Sequence, residues 1–156
     1  MTAFVLLKLA HVVGACVLFG TGLGIAFFML MAHRTADPAA VAATARIVVI
    51  ADTVFTATAV ILQPLTGAGL AAVMGYSLRE PWIVASFVLY LVIGACWLPV
   101  VWIQIRMRNL AAAARDKGMP LPPQYHRLFR YWFALGWPAF AGVIAIFVLM
   151  IAKPQP

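Results

Sequence analysis

Lys8-Leu-Ala-His-Val-Val-Gly-Ala-Cys-Val-Leu-Phe-Gly-Thr-Gly-Leu-Gly24 is the stretch whose reading decides the fold. It lies in an apolar run from about Phe4 to Met31, long enough to cross a bilayer. It also puts a histidine, His11, inside that run. An ionisable side chain in hydrocarbon is costly, so His11 needs a partner or a task. The glycines after it let a neighbouring helix approach closely.

The rest of the chain agrees with a membrane reading. It has 156 residues, 65% hydrophobic and 10% charged, with a mean hydropathy of +1.03. A soluble domain of this size cannot hide so much apolar surface. In hydrocarbon every backbone group must be bonded internally, which leaves helices or a closed barrel. The apolar runs are continuous rather than alternating, which selects helices. The spacing predicts four of them, at about 4–31, 45–74, 82–105 and 127–152. Pro64, Pro99 and Pro138 fall inside them. The segment Arg106–Lys117, rich in Ala and Arg, continues the third helix into water until Gly118 and Pro120 stop it. The fold class is therefore an all-α, polytopic four-helix bundle in one domain.

The formal charge is +7. Eight basic residues (Arg34, Arg46, Arg106, Arg108, Arg115, Lys117, Arg127 and Arg130) fall on the loops 1–2 and 3–4, against three (Lys8, Arg79 and Lys153) on the other side. The positive-inside rule puts those loops in the cytoplasm and both termini in the periplasm of a bacterial inner membrane. Trp82, Trp102 and Trp132 fall near helix ends, as interfacial aromatics do. The partners implied are the lipid bilayer and a homodimer or larger membrane complex. No nucleic-acid module is present, and Cys16 and Cys96 form neither a CxxC pair nor a zinc pattern. No Ser-His-Asp set, HExxH or phosphate loop appears, which argues against ordinary hydrolase or nucleotide chemistry.

Helical spacing places Lys8, His11, Ala15, Leu18 and Gly22 on one face of the first helix. His11 lies roughly 10 Å below the outer surface at 1.5 Å per residue. It either bonds a facing hydroxyl or carbonyl, or acts as an axial haem ligand or proton carrier. At a similar depth Gln63 and Tyr90 are candidate hydrogen-bonding neighbours, and Met74 and Met150 candidate methionine ligands. A second copy's His11 is another. On the second helix Asp52, Thr56, Gln63 and Thr66 are spaced as a single polar stripe, with Arg46 a loose partner for Asp52. Gly67, Ala71 and Gly75 repeat every four residues as a small-residue face.

Lys8-Leu-Ala-His11, with small residues and Phe19-Gly20 downstream, resembles the first-helix pattern of a superfamily of small bacterial membrane proteins. It includes the copper-resistance D-type proteins and the HemJ-type protoporphyrinogen oxidases. Within it, the chain looks most like the family called domain of unknown function 2269. The likeness rests on His11-Val-Val-Gly-Ala, on Gln63-Pro-Leu-Thr-Gly67, and on Trp132-Phe-Ala-Leu-Gly-Trp-Pro-Ala-Phe140 running on to Leu149-Met-Ile-Ala-Lys-Pro154. The HemJ-type relatives imply a haem b held by His11, with Lys8 just before it. The chain departs from those enzymes in having no lysine in its third helix. The copper-resistance relatives imply metal transport, but no Met-rich or His-rich outer cluster is present. Three functions are expected in order: a haem b-binding redox or tetrapyrrole-handling protein, a non-enzymatic accessory or scaffold subunit, and a proton or metal transporter using the Asp52 and Gln63 stripe.

Overall fold

The computed structural model describes residues 2–154. Among them there are only helices and turns. Four spans are long and apolar enough to cross a membrane: Ala3–Thr35, Pro38–Met74, Pro81–Asp116 and Pro123–Ala152. We call the first α1, the third α4 and the fourth α5. The second is α2 (Pro38–Ala51), a five-residue π-helical segment (Asp52–Thr56) and α3 (Ala57–Met74).

Local chemistry sets the boundaries. The second span begins at Pro38, not near Ala45, because Asp37 caps it. Its carboxylate accepts from the Ala39 and Ala40 N–H groups at 2.9 and 3.2 Å. Pro38 then occupies the first helical position, where its missing N–H costs nothing. α1 runs on to Thr35, past Met31. Its 33 residues span about 50 Å, so its ends project beyond a hydrocarbon core of ~30 Å. α4 continues through the apolar span to Asp116, as the Ala- and Arg-rich segment predicts. Gly75 is not part of a packing face: it caps α3 at φ 73°, a left-handed conformation that glycine adopts without strain.

The π-helical segment changes what the second span touches. A π turn holds one residue more than the α turn it replaces. Everything beyond it is rotated by about 100° relative to an unbroken helix. α2 packs on α4 and α1, whereas α3 packs chiefly on α1. α4 and α5 form the most extensive pair. The threonines around the turn support it: Thr53 and Thr58 hydroxyls donate to the Val49 and Val54 carbonyls at 2.7 and 2.6 Å.

The apolar core is concentrated toward the basic end. Ile25, Met29, Val41, Ala45, Met107 and Tyr125 are at its centre, with Met29, Met107, Val41 and Tyr125 almost fully enclosed. Trp132 and Trp82 are also buried, so of the three tryptophans expected at the interface only Trp102 faces outward. Toward the other end fewer side chains are buried. Phe19 of α1 stacks on Phe140 of α5 at 4.8 Å, and Ile93 of α4 closes on Gly142 of α5. The many exposed apolar side chains, such as Phe28 and Ile61, face the lipid. Met107→Ala should cost about 3 kcal/mol through its cavity, while Phe28→Ala should cost well under ~1 kcal/mol because lipid replaces the ring. Helical unfolding in detergent, followed by circular dichroism, checks the contrast.

Candidate functional site

α1 and α3 meet around His11. Its Nδ1 lies 2.9 Å from Thr66 Oγ1. The Thr66 hydroxyl has one proton and three acceptors in reach: the Leu62 carbonyl at 2.8 Å, the Gln63 carbonyl at 3.2 Å and His11 Nδ1 itself. We assign it to the Leu62 carbonyl, the shortest of the three, as helical threonines do. The short contact to Nδ1 is then a bond from Nδ1–H to Oγ1, an assignment made from the network. In neutral imidazole this leaves Nε2 with the free lone pair. Nε2 has no hydrogen-bond partner among the described residues. The side-chain atoms fully sealed inside without a partner among the described residues are Thr56 Oγ1 and Trp82 Nε1, and Nε2 is not one of them.

Gln63 completes the junction by donating Nε2–H to the His11 carbonyl at 3.0 Å. Two glycines make room. A Cβ on Gly67 would lie 3.2 Å from His11 Cε1, and one on Gly14 would lie 3.1 Å from Gln63 Nε2. Lys8 is exposed, over the Phe4 ring at 5.6 Å, rather than on the inward face with His11. The face of α1 that meets α3 carries Leu7, His11 and Gly14.

Tyr90 has a different task from the one its depth implies. Its hydroxyl donates to the Val60 carbonyl of α3. That carbonyl would normally accept from the N–H four residues on, and the residue there is Pro64, which has none. Tyr90 therefore supplies the donor that Pro64 removes. Reading Pro64 as an orphaned carbonyl would have found Tyr90 from the sequence. Met150 is half-buried on α5, and no hydrogen bond links it to His11 among the described residues.

Asp52 and Thr56 are not on a stripe with Gln63 and Thr66, because the π-helical segment turns the two pairs apart. Asp52 is buried at 4% exposure. Its Oδ1 accepts from Trp97 Nε1 at 3.2 Å. With the Gln104 amide oriented to satisfy its neighbours, Gln104 Nε2 donates to Oδ2 at 3.1 Å and its Oε1 accepts from Trp132 Nε1 at 3.2 Å. This chain joins the second span, α4 and α5. Arg46 is exposed and does not pair with Asp52; the one ion pair among the described residues is Arg115–Asp116. A path from Asp52 through Gln63 to His11 is thus interrupted at the π turn. Sequence reasoning missed Trp97 and Gln104 and placed Trp132 at the interface, although each carries an N–H donor inside an apolar helix.

Among the described residues no three His, Cys, Asp or Glu side chains gather as a metal-binding group. Both cysteines are free. His33, at the basic end, stacks on Phe129 at 3.7 Å and meets the Tyr125 hydroxyl at 3.3 Å. With this geometry in hand, the comparisons are brief. Residues 5–154 match the family described as predicted integral membrane proteins, domain of unknown function 2269. The chain belongs to that family. No curated protein and no solved structure matches it. It is an integral membrane protein with four apolar helices.

The Asp52 network gives a test. Asp52→Ala leaves the Trp97 and Gln104 N–H groups without acceptors, at roughly 1–3 kcal/mol each. It should lower stability by about 3 kcal/mol, more than Asp37→Ala, which loses one exposed cap worth about 1 kcal/mol. Parallel thermal unfolding of the two variants in detergent checks the order.

Proposed function

We propose that this membrane protein binds haem b through His11 and works as a small redox or tetrapyrrole-handling protein. We further propose that it lies in a bacterial inner membrane, basic loops inward. One observation carries the reading: His11 Nδ1 is held by the Thr66 hydroxyl at 2.9 Å while Nε2 has no hydrogen-bond partner among the described residues. An axial imidazole bound through Nε2 needs the Nδ1–H tautomer, held by an outer hydrogen bond.

The donor chemistry fits. Exposed Val12, Leu62 and Leu65 near His11 offer an apolar flank to a macrocycle. Lys8, one turn from His11 and without an acidic partner among the described residues, suits a propionate. His11, Thr66 and Gln63 lie where α1 and α3 meet, and these residues would hold the group. Bound haem supplies one-electron chemistry. Thr66 holds the imidazole proton on Nδ1, Gly67 makes room for the ring, and Gln63 fixes the α1 backbone at His11. Among the described residues His11 is the one imidazole at that depth, and it would hold the iron.

Protein purified in detergent from haem-supplied cells should show a Soret band. His11→Ala should abolish it, and Thr66→Val should weaken haem affinity by roughly tenfold or more through loss of the outer hydrogen bond. Colourless wild-type protein, or a full Soret band in His11→Ala, overturns the proposal. Colourless protein that co-purifies with a larger membrane complex points to the accessory reading. Proton or metal flux in liposomes that Asp52→Asn abolishes points to transport.

A further inference from the structure

We propose that Arg127, Arg130, Tyr131 and Ala134 form a site for the headgroup of an anionic phospholipid. The four residues recur at helical spacing on one face of α5 and line a shallow depression of about 340 Å³. Arg127, Arg130 and Tyr131 are exposed. Among the described residues, neither guanidinium has a carboxylate, amide or aromatic partner. Several neighbours in the basic collar are already engaged. Arg115 pairs with Asp116, Arg108 donates to Asn109, and Arg106 lies over the Trp102 ring at 5.3 Å. Arg34, Arg46 and Lys117 are not engaged, but they do not share this depression.

Charge and position both select a lipid. Two guanidiniums one turn apart match a phosphodiester, which each can grip with paired N–H donors. Tyr131 suits the headgroup level, where an aromatic body lies in lipid and its hydroxyl in water. Further along the same face the surface turns apolar, with Trp137 at 65% exposure, giving an acyl chain a track. Ala134 keeps the face shallow. Its carbonyl also lacks its helical donor, because the residue four positions on is Pro138. A free phosphate would match the arginines but not the apolar track.

The test uses full-length protein in maltoside micelles, with thermal unfolding followed while phosphatidylglycerol, phosphatidylcholine or inorganic phosphate is added. Phosphatidylglycerol should raise the melting temperature saturably, and the other two should not. In R127Q/R130Q the half-saturating lipid concentration should rise roughly tenfold or more. Ala134→Trp, which fills the depression and keeps both charges, should have a similar effect. R106Q/R108Q should respond like wild type. Equal stabilisation by phosphatidylcholine, or an unchanged response in R127Q/R130Q, overturns the proposal. Inorganic phosphate reproducing the effect overturns the lipid assignment. A loss in R127Q/R130Q with no change in Ala134→Trp means diffuse attraction rather than a site, and also overturns it.

Discussion

A buried carboxyl group, Asp52, with no cation beside it among the described residues is the constraint around which this bundle is built. Asp52 accepts N–H donors on both oxygens, from Trp97 and from Gln104, and Gln104 in turn accepts from Trp132. An unsolvated carboxylate in hydrocarbon is costly unless such donors surround it. Meeting that demand fixes the second span against α4 and, through Trp132, against α5. The apolar core around Met29, Met107 and Tyr125 lies toward the same end, where packing and polar pairing reinforce each other.

The irregular backbone follows from the same need for internal satisfaction. The π-helical segment from Asp52 to Thr56 lets the first half of the second span serve α4 and the second half serve α1. Without that turn, Gln63 and Thr66 would face Asp52's partners rather than His11. Pro64 leaves the Val60 carbonyl without its helical donor, and Tyr90 supplies one from α4. Each departure from a regular helix is matched to a side chain on a neighbouring span.

The sequence makes the four spans legible because continuous apolar runs admit few other solutions in a bilayer. The ends were harder to read. Asp37 and Pro38 together start the second span earlier than hydropathy implies, since the residues up to Arg46 are mostly small and only mildly apolar. The π turn was not legible, because periodicity assumes one pitch throughout and a single extra residue leaves no mark in composition. It split the apparent stripe from Asp52 to Thr66 into two unrelated junctions. His11 stood out because it is ionisable in an apolar run. Thr66 and Gln63 lie at its depth, and the structure joins both to it. Trp97, Gln104 and Trp132 were hidden because neutral N–H donors in apolar helices look like packing or interface residues.

The functional account rests on one proton. With the Thr66 hydroxyl assigned to a carbonyl of its own helix, the His11 proton is assigned to Nδ1 and the lone pair to Nε2. Nitrogen-15 NMR of histidine-labelled protein in micelles, prepared without haem, reads this tautomer directly. The account predicts that His11 shows a protonated Nδ1 and an unprotonated Nε2 at neutral pH, and that the pattern is lost in Thr66→Val. A His11 protonated on Nε2 instead would contradict it, because the nitrogen proposed to bind iron would then carry the proton.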